Sequence, residues 1–105
     1  MRGLGGWLGL AQRSGCLVSG DVAVKEALVR GKAKLLVIAG NAALRTRQEL
    51  WGLAKKCGIP VVVFGTKEHI GALIGKSPRS SVAFLDENMA RAVLGEEKGE
   101  RWSGK

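Results

Sequence analysis

A chain of 105 residues has the length of one domain, and with 46% hydrophobic and 25% charged residues it has enough apolar material for a core. Seventeen Lys and Arg against nine Asp and Glu leave a net charge of +8. This balance excludes an acidic disordered activator. It favours an anionic partner, most often nucleic acid, because basic side chains that neutralise phosphates release condensed counterions.

Membrane spans, secretion signals and zinc sites are not indicated by the sequence. The longest uncharged stretches, residues 3–12, 35–44 and 57–66, are each about half of the roughly 18–20 residues that a membrane helix needs. The N-terminal region has no long apolar segment followed by a cleavage site. Cys16 and Cys57, with one histidine, are too few for the usual four-ligand zinc site, and their apolar neighbours favour buried free thiols in a reducing cytoplasm. We therefore expect a cytoplasmic protein without a membrane segment, a metal or a cofactor.

The first third of the chain predicts two helices with a strand between them. Apolar residues at helical spacing favour a first helix over residues 4–14, although the glycines at positions 3, 5, 6 and 9 each weaken it by up to about 1 kcal/mol. A short apolar run at residues 16–18 is typical of a strand. Ser19 as a cap and Asp21 in the first turn then favour a second helix that ends near Arg30.

The middle of the chain predicts two buried strands on either side of a third helix. Continuous apolar runs at residues 35–39 and 61–64 are typical of strands that are covered on both faces. Asn41 is predicted to cap the third helix, which ends near Cys57 and has Leu44 among its buried residues.

The last third predicts two further helices around a fourth strand. Thr66 is predicted to cap the fourth helix, residues 81–85 form the strand, and Asp86 begins the last helix. Strands that alternate with helices imply an at least partly parallel sheet with helices on both faces. We expect residues 1–95 to form a single domain and residues 96–105 to be a flexible charged tail.

The basic residues are concentrated in the first half of the chain. From Arg13 to Lys56, nine basic residues stand against three acidic ones. The loops before the second helix and after the fourth can lie at one end of such a sheet, where a basic rim would bind phosphates without reading base sequence. Base stacking is not indicated, since there is no Tyr, and Phe64 and Phe84 lie within apolar strands. Recognition of folded RNA by shape and backbone fits the composition better.

No catalytic or nucleotide-binding arrangement is predicted. The glycine patterns at residues 3–9 and 71–77 lack the strand that must precede a dinucleotide-binding loop or a P-loop. His69, the one histidine, lies beside Glu68 in a helix, and no nucleophile, base and orienting group combine around it. We therefore expect a protein that is not an enzyme.

Six segments of the chain resemble a known family. They are residues 8–15, 18–20, 31–35, 57–61, 73–76 and 81–84. Their order and spacing over residues 4–94 are similar to those of the bacterial YlxQ-type proteins, which belong to the wider kink-turn RNA-binding ribosomal-protein family. The resemblance implies a three-layer α/β/α sandwich around a four-stranded mixed sheet, in agreement with the element order above.

The resemblance also implies where RNA is bound, at the start of the second helix and at the loop after the fourth. Gly20 matches the glycine that lets the backbone approach RNA, Arg30 matches a basic contact at the helix end, and Lys67 matches a lysine at the start of the fourth helix. Residues 75–81 match the segment that covers an extruded nucleotide. With the neighbouring charges included, the predicted RNA-binding residues are Gly20, Lys25, Arg30, Lys32, Lys67, Lys76 and Arg79.

Three positions depart from the pattern of standard kink-turn binders, in which an Asn, a Glu and a Lys read tandem G·A pairs. Here these positions hold Val22, Ala23 and Glu26. Lys25 is adjacent to the Lys position but projects roughly 100° away around the helix. The base-reading set is absent, and the sequence leaves open whether a standard kink-turn is bound.

Three hypotheses follow. The leading one is a non-enzymatic monomer that binds structured RNA, ribosomal or kink-turn-like, through the basic rim around the start of the second helix. The second is a protein-interaction module, because Val22 and Ala23 place an apolar patch at the same helix end, with ribosomal or other proteins as partners. The third is similarity to the RNA-recognition half of certain RNA methyltransferases, which would need a catalytic partner.

Overall fold

The computed structural model describes residues 3–96 and 101–102. Helices and strands alternate along the chain, in the order that the sequence predicts. The helices are α1 (Gly3–Arg13), α2 (Asp21–Val29), α3 (Leu44–Cys57), α4 (Lys67–Ile74) and α5 (Glu87–Glu96). The strands are β1 (Leu17–Ser19), β2 (Leu35–Ile38), β3 (Val61–Val63), β4 (Ser81–Phe84) and β5 (Arg101–Trp102).

The strands form one mixed sheet in the order β1-β4-β2-β3-β5. Strands β2 and β3 are parallel, and the other neighbours are antiparallel. The four predicted strands are confirmed, and the two-residue β5 is an additional outer strand beside β3. This short strand falls within the predicted tail, of which Glu96 belongs to α5. Residues 97–100 and 103–105 lie outside the described residues.

The helices cover the sheet in two groups, which gives the expected α/β/α sandwich. Helix α1 packs against α4 and α5, whereas α2 packs against α3. Every residue of β2 and β4 is buried, including Phe84, which has no exposed surface. These two central strands carry continuous apolar sequence because helices cover both of their faces.

Helix α1 packs against α4 beside two of its glycines, with room for a methyl group at each. A methyl group placed on Gly5 would lie 3.6 Å from both terminal carbons of Leu73, and one on Gly9 would lie 3.8 Å from the Leu73 backbone oxygen. Both distances are ordinary van der Waals contacts. The packing of α4 therefore supplies the stability that the glycine-rich sequence of α1 lacks.

One of the three predicted helix caps is confirmed, and Asp86 caps the helix that it was predicted to begin. The Oγ1 atom of Thr66 accepts a hydrogen bond from the backbone N–H of His69 at 3.0 Å, at the start of α4. The Oδ1 atom of Asp86 accepts one from Met89 at 2.9 Å, at the start of α5. Each side chain satisfies one of the backbone donors that a helix start leaves unpaired.

The other two cap predictions are wrong. The residue before α2 is Gly20, not Ser19, and it makes no side-chain cap. Helix α3 begins at Leu44, after Ala43, and Asn41 makes no cap to it. Both polar side chains are instead used in contacts with distant segments, and local pattern does not reveal such contacts.

Three burial predictions need correction. Leu44, predicted to be buried, is 69% exposed at the first position of α3, because the chain between β2 and α3 carries it past the core. Both cysteines are free thiols, but Cys57 is exposed and Cys16 is half-buried. Cys57 is the last residue of α3, where the helix leaves the core before Gly58.

Candidate nucleic-acid interface

Four chain segments meet at one edge of the sheet. Strand β4 runs opposite to β1 and β2, so it begins where they end, with Val82 beside Ser19 and Ser81 beside Ile38. The parallel strand β3 ends at the same level, with Val63 beside Ile38. The starts of α2 and α4 therefore lie at the edge where β4 begins. We name it the Gly20 edge; it comprises residues 19–21, 39–43, 64–67 and 79–81.

Gly20 gives the Gly20 edge an open backbone. Its φ of 93° lies in the region that favours glycine, and its N–H donates a hydrogen bond to the Ser81 carbonyl at 3.0 Å. No atom lies within 4 Å of the position that a Cβ would take. Glycine is therefore required here by the backbone conformation, and the space beside it is free.

Arg79 organises the loop that follows α4. Its Nε atom donates to the Ser19 hydroxyl at 3.3 Å, and its Nη1 atom donates to the Ser77 hydroxyl at 2.6 Å. The same Nη1 atom also reaches the carbonyls of Ser77 and Pro78. Within the described part of the chain, the second terminal nitrogen, Nη2, has no acceptor. Arg79 thus fixes the loop with part of its guanidinium and has donors left over.

The loop of residues 75–80 folds back along α4 to the Gly20 edge. The Lys76 N–H donates to the Gly71 carbonyl at 2.8 Å, and the Arg79 N–H donates to the Lys67 carbonyl at 3.1 Å. Glycine at position 71 makes this loop path possible, because a Cβ there would lie 2.4 Å from the backbone carbonyl oxygen of Ser77. The loop brings Arg79 beside the start of α4. Lys76 is exposed near the other end of α4, about two helical turns away.

Asn41 positions Lys67, a role that the sequence did not predict. The Asn41 Oδ1 atom accepts a hydrogen bond from the Lys67 backbone N–H at 2.8 Å, and its Nδ2 atom donates to Glu68 Oε1 at 3.2 Å. The Glu68 backbone N–H, and then Asn41, hold the pKa of the Glu68 carboxyl below its ordinary value. The sequence signal was an Asn just after a buried strand, which equally fits a cap for the next helix.

Lys25 is engaged in an ion pair on the side of α2 that faces α3. Its Nζ atom lies 3.1 Å from Glu49 Oε1, and Arg45 lies 3.6 Å from the other oxygen of the same carboxylate. Lys25, and to a smaller extent Arg45, lower the pKa of Glu49. Lys25 is therefore paired with Glu49 and is not a free cation in this structure.

The acidic residue at the start of α2 is turned towards the sheet. The Asp21 Oδ1 atom accepts a hydrogen bond at 2.8 Å from the hydroxyl of Ser81, a residue with no exposed surface. The carboxylate is half-buried and leaves room for a shallow groove. This groove, about 330 Å³ in volume, is lined by Ser19, Gly20, Asp21, Pro78, Arg79 and Ser80.

The structure brings together some of the predicted residues and separates others. Gly20, Lys67 and Arg79 lie at the Gly20 edge, and Lys76 is on the adjoining loop. Arg30 and Lys32 follow the far end of α2, at the opposite edge of the sheet. The side chains missed by sequence reasoning are Ser19, Asn41, Ser77 and Ser81, whose partners are distant in sequence or depend on the loop conformation.

The family model of the ribosomal protein L7Ae/L30e/S12e/Gadd45 family matches residues 4–94. The chain belongs to this family. Among its relatives, the large ribosomal subunit protein eL30 of Aeropyrum pernix is 37% identical over 70 residues, which cover 65% of this chain and 70% of the relative. The RNA-binding protein YlxQ of Bacillus subtilis is 28% identical over 87 residues, which cover 83% of this chain and 87% of the relative. The predicted resemblance to YlxQ-type L7Ae/L30e proteins is thereby confirmed.

Solved structures show the L7Ae/L30e fold as well. A Bacillus halodurans C protein of unknown function superposes with a TM-score of 0.81 and 29% identity, over 85% of this chain and 90% of that chain. The 15.5kD RNA binding protein of Giardia lamblia superposes with a TM-score of 0.77 and 21% identity, over 86% of this chain and 80% of that chain. At 21% identity the second comparison shows the fold alone.

Metal-binding clusters and membrane-spanning helices are both absent from the described residues. No group of three or more His, Cys, Asp or Glu side chains among them is placed to hold a metal ion. No helix in the same part of the chain combines the length and the apolar character that crossing a membrane requires.

Proposed function

We propose that this L7Ae/L30e-family chain binds structured RNA, ribosomal or kink-turn-like, at the Gly20 edge and without catalysis. One observation carries the proposal: hydrogen bonds connect the open helix start at Gly20 to two basic residues. The side chain of Arg79 binds Ser19, next to Gly20, and the backbone N–H of Arg79 binds the carbonyl of Lys67. Its relatives include proteins described as RNA-binding or as ribosomal, which supports the same conclusion. We propose further that it acts as a monomer in the cytoplasm.

The start of α2 would receive a phosphate group. It has no side-chain cap, and its first-turn N–H groups carry the positive end of the helix dipole. Because Gly20 has free space where a Cβ would be, an RNA backbone is able to approach these donors closely. Asp21 opposes this field, but its carboxylate is held by Ser81 at the side of the groove.

Three cationic groups would surround that phosphate and its neighbours. They are the free nitrogen of Arg79, the ammonium of Lys67 and the ammonium of Lys76. Each neutralised phosphate releases condensed counterions, so binding should weaken steeply with salt. Lys25 would join only by leaving Glu49, with which it forms the 3.1 Å pair.

Recognition would depend on RNA shape more than on base identity. The positions that read G·A pairs in standard kink-turn binders hold Val22, Ala23 and Glu26, and Val22 is 84% exposed without a polar group to offer. A bent or bulged RNA presents closely spaced phosphates to the Gly20 edge, whereas a straight duplex presents them along one line. We therefore propose selection of bent RNA through its backbone.

The test compares a kink-turn RNA with an unbent duplex of equal length, each titrated at two salt concentrations. Wild-type protein should bind the bent RNA more tightly than the duplex. The double variant Lys67→Gln with Lys76→Gln should reduce the slope of log K against log salt concentration by about two, one for each phosphate contact. Arg91→Gln on α5 is the matched control, since Arg91 pairs with Glu87 away from the Gly20 edge. An unchanged slope in the double variant would contradict the assignment of this edge.

A second candidate function is a protein-interaction module, and the exposure of two apolar side chains favours it. Val22 is 84% exposed at the start of α2, and Leu44 is 69% exposed at the start of α3. Val22→Glu should then abolish binding to purified ribosomal proteins while RNA binding is unchanged. If Val22→Glu weakens RNA binding and changes no protein contact, this second function is wrong.

A further inference from the structure

The sheet edge opposite the Gly20 edge has basic residues from the end of α3 and from the segment that follows α2. Strands β2 and β3 begin here, with Leu36 beside Val61, and β4 ends here, with Phe84 beside Leu35. Helices α2 and α3 both start at the Gly20 edge, so both end at this opposite edge. We name it the Lys55 edge; its basic residues are Arg30, Lys32, Lys34, Lys55 and Lys56.

The cations of the Lys55 edge have no ion-pair partner among the described residues. All are exposed except Lys34, which is half-buried. Within the described residues none of their side chains takes part in an ion pair or a hydrogen bond, in contrast to Lys25 and Arg91, which each pair with a glutamate. The acids that follow β4 are used elsewhere: Asp86 caps α5, and Glu87 pairs with Arg91. A group of like charges without acidic partners is a surface suited to a polyanion.

Favourable interaction with the helix dipoles explains the presence of only some of these basic residues. Basic residues are favoured in the last turn of a helix, where Lys55 and Lys56 lie, and at the end of α2, where Arg30 lies. Lys32 and Lys34 come after α2, beyond its last turn. In addition, a concave surface of about 630 Å³ along α3 is lined by Gly52, Leu53, Lys55 and Lys56 and by Glu49, whose carboxylate is already paired with Lys25.

An apolar and acidic strip separates the two basic edges. Helix α2 has nine residues and spans about 13 Å between them. Its exposed positions along this distance are Val22, Glu26 and Val29, and Val22 and Val29 are 84% and 71% exposed. A single phosphate backbone that ran along α2 would meet two valines and a carboxylate between the edges. Two separate RNA segments avoid this unfavourable path.

We propose that the Lys55 edge is a second phosphate-binding surface, which holds the backbone of a second RNA helix while the Gly20 edge holds a bent segment. The protein then bridges two segments of a structured RNA. The nature of the ligand rests on the proposed function. Arg30 and Lys32 would then bind RNA, as the sequence predicts, but at a surface distinct from that of Gly20.

The experiment uses two double variants that remove the same charge from the two proposed surfaces. Lys55→Gln with Lys56→Gln alters the Lys55 edge, and Lys67→Gln with Lys76→Gln alters the Gly20 edge together with the loop of residues 75–80 that leads to it. A kink-turn RNA is immobilised, protein is bound to it, and retention of a labelled blunt RNA duplex is measured at low salt. Thermal melting checks that each variant folds.

Wild-type protein should retain the duplex on the immobilised RNA. The Lys55/Lys56 variant should bind the immobilised RNA within about twofold of wild type and retain about tenfold less duplex. The Lys67/Lys76 variant should lose affinity for the immobilised RNA but still bind the duplex in solution. This opposite pattern of losses supports two surfaces, because both variants have the same net charge.

Two results would overturn the proposal. If the Lys55/Lys56 variant retains as much duplex as wild type, the Lys55 edge does not bind RNA, while the function proposed for the Gly20 edge stands. If both variants lose duplex binding equally, net charge alone is responsible and there is no second surface. A wild-type protein that does not bind the immobilised RNA contradicts the proposed function instead, and bridging with it; solution binding of the duplex then tests the Lys55 edge directly.

Discussion

The Nε atom of Arg79 donates a hydrogen bond to the hydroxyl of Ser19 across 3.3 Å and sixty positions of sequence. This contact ties the loop after α4 to the end of β1, directly before Gly20. The guanidinium also holds Ser77 within the loop, so one side chain links the two segments that flank the candidate RNA-binding groove.

Replacing Arg79 by lysine should damage the site although the charge is kept. A lysine lacks the planar fork that reaches Ser19 and Ser77 together, so Arg79→Lys should lower the free energy of unfolding by about 1 kcal/mol and RNA affinity by about fivefold. Urea denaturation and fluorescence anisotropy measure the two effects. Lys76→Arg, at an exposed position without such contacts, should leave both unchanged. Wild-type behaviour of Arg79→Lys would show that charge alone matters.

Two glycine-to-alanine substitutions should change stability in opposite directions. Gly71→Ala places a methyl group 2.4 Å from the Ser77 oxygen, so the loop must shift, at a cost of about 1–3 kcal/mol. Gly9→Ala lies inside α1 and meets the flexible end of Arg13 at 3.3 Å, so the helix should gain about 0.5–1 kcal/mol. Urea denaturation of the two variants tests the prediction. Equal stability of both proteins would mean that the loop does not rest on Gly71.

Asn41→Ala should destabilise the start of α4. It removes the acceptor of the Lys67 N–H and one of the donors to the Glu68 carboxylate, and we expect a loss of about 1 kcal/mol in the free energy of unfolding. Amide hydrogen exchange should show faster exchange at Lys67. Asn88→Ala, an exposed position of α5, is the control. Slow exchange at Lys67 in the Asn41 variant would contradict the positioning role.

The Lys25–Glu49 pair should make stability depend on acid pH. Because the pKa of Glu49 is lowered in the folded chain, the pair stabilises the protein above the ordinary value of 4.5. That contribution is lost as the pH falls through the lowered pKa. NMR titration of Glu49 should show its pKa rise in Lys25→Gln, and rise less in Arg45→Gln, since Lys25 has the larger effect. A larger rise in the Arg45 variant would reverse this order.

Local sequence pattern was sufficient to predict the helices and strands. It was not sufficient to predict the contacts of the candidate site, because these join residues far apart in the chain. Apolar runs and turn residues predicted all five helices and four strands, and Thr66 and Asp86 cap the helices that they were predicted to begin. Ser19 and Asn41 have the same chemistry as those caps, but their side chains reach other segments. A polar residue before a helix has several possible partners, and tertiary contacts decide which one it takes.

The placement of the basic residues was decided by tertiary structure. The sequence alone determined the net charge, the order of the elements and the family, because these depend on composition, periodicity and motif spacing. Only the antiparallel pairing of β4 with β1 and β2 brings Arg79 to Gly20 and sends Arg30 and Lys32 to the opposite edge. Strand β4 pairs with strands that are far from it in the chain, and the local pattern of a strand does not determine which strands become its neighbours.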